Sequence, residues 1–116
     1  MIPLFIQNGV VEKGTKKARG VGFPTANIHC DNPDMSGTYI GKVVVGKDEY
    51  RAAIYANQQQ QVLEAHLLDF VGDLYGKQIT VIVYKKLAEA KKFESTQDEH
   101  SFIEQAVTAV RAYFNE

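Results

Sequence analysis

The 116-residue chain carries 13 Lys and Arg against 14 Asp and Glu, with 45% hydrophobic residues, which fits one soluble globular domain over residues 1–116 and leaves no room for two cores. A formal net charge of -1 argues against a general nucleic-acid binder, which needs a basic excess. The one cysteine, Cys30, permits no internal disulfide, so the cytoplasm is the expected compartment; the apolar opening at residues 1–6 is too short, and lacks the basic flank, for a signal peptide or a membrane span.

Residues 2–6 and 8–13 read as two short extended pieces, with Asn8 and Gly9 as a turn or kink between them. From Gly14 to Gly20 the sequence GTKKARG has cationic side chains and no apolar periodicity, so it is a loop. Residues 30–37 form a second loop dense in turn formers. Tyr39–Val45 is β-rich, and residues 46–48 connect it as a hairpin to Glu49–Tyr55. Asn57 and the glutamines after it make a polar turn. In Val62–Asp69 the residues Leu63, Ala65 and Leu67 form an apolar face, while Val62, Glu64, His66 and Leu68 form a mixed one. A turn-rich connection at 71–76 leads to Ile79–Tyr84, a strand with little alternation that reads as buried on both faces. The tail is helical: Phe102, Ile103, Ala106, Val107, Val110, Tyr113 and Phe114 recur at three- and four-residue spacing, and residues 96–99 have the form of a capping box. About six short strands and one helix predict a small six-stranded antiparallel barrel, of Greek-key type, with the helix packed against it.

Three places carry chemistry. Thr25 and Asn27 are spaced by two after Pro24, so on an extended chain their oxygens face one spot; they can hold Mg²⁺, which takes few protein ligands and completes its shell with water and phosphates, or they can satisfy the backbone of a Pro turn. The Gly14–Gly20 loop can cradle phosphates through its amides and Lys16, Lys17 and Arg19, or it can be a solvated basic tip; it is not a Walker loop. Glu64 sits in mid-strand, where propensity disfavours a carboxylate. It either pairs with a lysine across strands or accepts a proton from an attacking hydroxyl. His29, Cys30 and His66 lack metal-ligand spacing, and His66 reads as a strand-face residue supporting Glu64.

These residues, in this order, resemble the riboflavin kinase family. The run from Gly14 through Gly22, Phe23, Pro24, Thr25 and Asn27 is similar to that family's Gly-rich loop entering its GFPTAN signature. Residues 63–70 (LEAHLLDF) followed by GDLYGK at 72–77 resemble its second signature, and KFES at 92–95 its third, weaker block. The resemblance implies an ATP- and Mg²⁺-dependent riboflavin kinase that passes the ATP γ-phosphoryl group to the ribityl 5′-hydroxyl of riboflavin, giving FMN and ADP. It implies that Thr25 and Asn27 hold the divalent ion and that Glu64 is the base. Gly14, Lys17, Arg19, Gly20, Gly22, Phe23 and Pro24 would close over ATP, with Asp69, Phe70 and Tyr75 lining the nucleotide side. Leu87 and Phe93, with the start of the helix, would cover the flavin ring.

The chain departs from the family pattern in the flavin half. Ala88, Ala90 and Ala106 stand where the family usually shows Arg, Glu and Asp, Ala18 replaces a common loop Gly, and the 55–61 loop is short. Weaker flavin binding is therefore expected, and the alternative reading is a catalytically weakened flavin- or nucleotide-binding barrel of the same fold. An oligonucleotide-binding barrel is a third reading, which the net charge opposes. With no HxGH-type motif and nothing before Ile2 to supply an adenylyltransferase domain, the expected product is FMN and not FAD. The expected partners are riboflavin/FMN and ATP/ADP, with no nucleic acid, no membrane and a monomeric state.

Overall fold

The computed structural model describes residues 2–12 and 25–115. Six strands, β1 (Phe5–Val10), β2 (Thr25–His29), β3 (Gly37–Val45), β4 (Asp48–Asn57), β5 (Val62–Leu67) and β6 (Gln78–Ala88), precede one helix, α1 (Thr96–Phe114). They form a single antiparallel sheet in the order β1-β6-β3-β4-β5-β2. Because β2 lies beside β5 and not beside its chain neighbour β3, the order of β2 to β5 is that of a Greek key. The sheet curls into a half-barrel whose two ends meet just beyond β1. There Glu12 N donates to the Asn27 carbonyl at 2.7 Å.

Alternation along the strands produces the curl. Ala26 and Ile28 on β2, Ala52, Ile54 and Ala56 on β4, Leu63, Ala65 and Leu67 on β5, and Ile79, Val81 and Val83 on β6 all point into one buried cluster. Fully burying a Val, Leu or Ile side chain contributes about 1.5–3 kcal/mol, so this inward face holds the sheet closed. β6 alternates between fully buried and half-buried positions and runs well past the expected Tyr84. Its outer side chains are covered only in part, so the expectation of burial on both faces holds for one face.

At residues 8–9 the chain does not turn. β1 runs straight through Asn8 and Gly9, whose Cα partners are Thr80 and Ile79 of β6. Asn8 Oδ1 accepts from Thr80 Oγ1 at 2.6 Å, and a Cβ on Gly9 would stand 2.9 Å from the Cβ of Ile28. The glycine is there for the approach of β2, which a sequence window around it cannot reveal.

The helix packs on the outside of the barrel. Ala106, Val107 and Val110 bury against Ile40 of β3, Ala53 of β4 and Leu68 just past β5, with Leu87, Ile103, Tyr113 and Phe114 around them. The helix begins one residue earlier than the capping-box reading. Ser95 is the N-cap, and its Oγ accepts from Asp98 N at 3.1 Å, satisfying one of the first-turn amides. Among the described residues no helix is long and apolar enough to cross a membrane.

Candidate active site

β2 and β5 bring the polar residues together by register alone. Asn27 is paired with Glu64, and Thr25 with His66. Their neighbours Ala26, Ala65 and Leu63 point into the core, so period-two alternation turns these four side chains to the outer face. Directly opposite residues in an antiparallel pair have Cβ atoms only about 4.5–5.5 Å apart. On the other side of β5, Tyr55 stands opposite Glu64 and Ala53 opposite His66. Ala53 lies under the helix, so the polar group borders the helix-covered ground.

Within this group the environments differ. Asn27 is buried, and its Oδ1 has no hydrogen-bond partner among the described residues. Leaving a buried acceptor unmatched costs about 1–3 kcal/mol, which marks the atom as one that a ligand would complete. That fits a divalent ion taking neutral oxygens from Asn27 and Thr25, because phosphates already carry the negative charge. No cluster of three or more His, Cys, Asp or Glu suited to a metal occurs among the described residues. Glu64 keeps 23% of its side chain exposed, while His66 keeps 5% and brings Nε2 to 3.2 Å from Glu64 Oε1. His66 Nδ1 is buried without a partner among the described residues.

The expected nucleotide-side residues cluster around the strand ends. After β5 the chain turns at Asp69, whose φ of 59° is left-handed. Its carboxylate accepts from Arg51 at 2.8 Å and from both terminal nitrogens of Arg111 on α1 at 3.3 Å. Arg111 first, and Arg51 second, hold this carboxyl below its usual range. Phe70 packs edge-on against Tyr50 with ring centroids 5.0 Å apart, and Tyr75 is 60% exposed. The 71–77 connection is tied to the end of β1: Gly76 N donates to the Val11 carbonyl and Val11 N to the Lys77 carbonyl, both at 2.9 Å. Gly14, Lys17, Arg19, Gly20, Gly22, Phe23 and Pro24 lie outside the described residues.

The flavin-side residues stand apart from the β2–β5 group in sequence but share the helix. Leu87 packs at the edge of the helix-barrel cluster. Phe93 meets Phe102 of α1 with centroids 5.3 Å apart, and Lys91 Nζ lies 4.3 Å from the Phe102 ring centroid. A cleft of about 350 Å³ opens between residues 91–94 and the first half of α1, with Asp98, Ser101 and Gln105 on its helical wall. Sequence reasoning named Phe93 here but missed Lys91 and Phe102 as its partners. The spacing of Phe102 on the apolar stripe hid it among core residues.

The family model for Flavokinase, riboflavin kinase, matches residues 3–114. The trifunctional protein RibF/MnmA of Mycoplasmoides gallisepticum is 32% identical over 120 residues, covering 96% of this chain and 18% of the relative. The bifunctional riboflavin kinase/FMN adenylyltransferase of Pseudomonas fluorescens is 34% identical over 113 residues, covering 90% and 36%. The chain thus spans well under half the length of these curated relatives. The crystal structure of riboflavin kinase from Trypanosoma brucei has the same fold, with a TM-score of 0.71 at 23% identity, covering 96% of this chain and 77% of that one. With a family match that runs from before β1 to the end of α1, the chain belongs to the riboflavin kinase family.

Proposed function

We propose that this chain is a riboflavin kinase that transfers the γ-phosphoryl group of ATP to the ribityl 5′-hydroxyl of riboflavin, giving FMN and ADP. The observation that carries the reading is the β2–β5 register, which pairs a buried amide oxygen with no partner among the described residues (Asn27) with a part-exposed carboxylate in mid-strand (Glu64). Phosphoryl transfer asks a protein mainly for positioning and for charge stabilisation. Thr25 and Asn27 would hold a divalent ion, which when bound would neutralise charge on the phosphates. Glu64 accepts the proton of the attacking hydroxyl and orients that hydroxyl toward the phosphorus, a contribution of about 10²–10⁴-fold. The Phe93 and Phe102 rings, 5.3 Å apart and tilted 46° to each other, offer aromatic surface to the flavin ring, and Leu87 lies at the edge of the helix-barrel cluster. Asp69, Phe70 and Tyr75 flank the nucleotide.

The test is direct. Riboflavin, ATP and Mg²⁺ are incubated with the protein and the flavins are separated chromatographically, with FMN as the expected product. Flavin or nucleotide binding without FMN would replace this reading with that of a catalytically weakened binding barrel.

A further inference from the structure

Glu64 has a neighbour whose burial its own environment does not require. His66 lies two residues along β5, on the same face, between Thr25 of β2 and Ala53 of β4 in the register. Its ring is confined there, with 5% of the side chain exposed. A polar ring packed this deeply usually matches both nitrogens. Here Nε2 reaches Glu64 Oε1 at 3.2 Å while Nδ1 is buried with no partner among the described residues. A proton on Nδ1 would be a buried donor with nothing to receive it, which costs more than a bare lone pair on a neutral ring. The neutral tautomer with its proton on Nε2 leaves Nδ1 as a bare lone pair and puts the proton on the nitrogen that stands 3.2 Å from Glu64 Oε1.

We propose that His66 is the positioning residue for Glu64: Nε2–H donates to Oε1, fixes the carboxylate rotamer and leaves Oε2 as the oxygen that meets the substrate hydroxyl. This rests on the reading of Glu64 as the base. An unheld glutamate has freely turning side-chain torsions and a broad terminal one, so an exposed carboxylate spends much of its time aimed elsewhere. A single donor from a buried ring restricts that freedom without touching the substrate.

The experiment uses His66→Gln and His66→Asn in the full chain. Gln carries its amide nitrogen about as far from the backbone as the imidazole Nε2, while Asn carries it only as far as Nδ1. The expected result is that His66→Asn lowers kcat roughly ten- to hundredfold, the worth of one hydrogen bond to a charged group, with KM for riboflavin and ATP unchanged. His66→Gln restores most of that loss. In a Glu64→Gln background, His66→Asn costs nothing further, because the carboxylate it would aim is gone. Melting curves check folding, and His66→Leu, which fills the space without a donor, takes the place of His66→Asn should that variant not fold. Parental kcat in His66→Asn or His66→Leu, equal losses in the Gln and Asn variants, or a full additional loss on top of Glu64→Gln would each overturn the assignment while leaving the kinase reading intact. Absence of FMN from the parent protein would instead sink the kinase reading, and this inference with it.

Discussion

Asn27 of β2 and Glu64 of β5 are register partners, so an amide oxygen buried with no partner among the described residues and the mid-strand carboxylate sit one strand apart on the barrel's outer face. Two residues 37 positions apart in the chain are thus held together by backbone pairing. Substituting either one can therefore change chemistry without undoing the pairing that presents them.

Glu64→Gln keeps the shape of the side chain and removes the proton acceptor. The variant is expected to bind ATP as the parent does and to lose about 10²–10⁴-fold in kcat. Single-turnover FMN formation, read beside nucleotide affinity by calorimetry, checks both halves. FMN formation at the parent rate would show that some other group takes the proton.

Thr25→Ala combined with Asn27→Ala removes both neutral oxygens that the ion would use. ATP with Mg²⁺ raises the melting temperature of any protein that binds it in the folded state alone. That rise is expected in the parent and is expected to be lost in the double variant. An equal rise in both proteins would remove the metal assignment.

How much of this was legible in the sequence depended on the range of the cause. Leu63, Ala65 and Leu67 announced the inward face of β5 by alternation, and all three are buried in the core. Thr25 and Asn27 announced a shared face in the same way. The straight passage of β1 through Gly9 was hidden, because its reason is the Cβ of Ile28 on another strand. Asp69 was expected at the nucleotide side; that two arginines hold its carboxylate depends on Arg51 and Arg111, 18 and 42 positions away. Ser95 was missed as the cap because Thr96 and Glu99 offered an equally good local pattern one residue later.

Gly41 on β3 faces two neighbours at once. A Cβ there would collide with the carbonyl oxygen of Ile82 on β6 and with Cδ1 of Ile54 on β4. A backbone atom in a ladder cannot step aside as a side-chain end can, so Gly41→Ala is expected to cost at least about 1–3 kcal/mol. Gly46, in the β3–β4 hairpin, has φ of 61° but open space around it. Asn tolerates that left-handed conformation, so Gly46→Asn is expected to stay within about 0.5 kcal/mol of the parent. Urea midpoints with unchanged m-values check the pair, and equal midpoints for the two variants would refute the packing argument.

Asp69 ties the exit of β5 to the last turns of α1, since Arg111 grips its carboxylate with both terminal nitrogens while Arg51 approaches from β4. These hydrogen bonds, that from Arg111 foremost, depress the folded-state pKa below the ordinary 3.8. A depressed carboxylate contributes stability that is complete above its unfolded value and is lost as pH falls through its lower folded value. The pairs are largely solvent-exposed, with 60% of the Asp69 side chain accessible, so screening keeps the contribution small. Asp69→Asn is therefore expected to lower the melting temperature slightly near neutral pH and to flatten its decline in acid, because the group that would be protonated is absent. Melting temperatures of both proteins followed down through the carboxylate range, at low and high salt, provide the check. Parallel acid limbs in parent and variant would mean that the arginine clamp contributes nothing to holding the helix on the barrel.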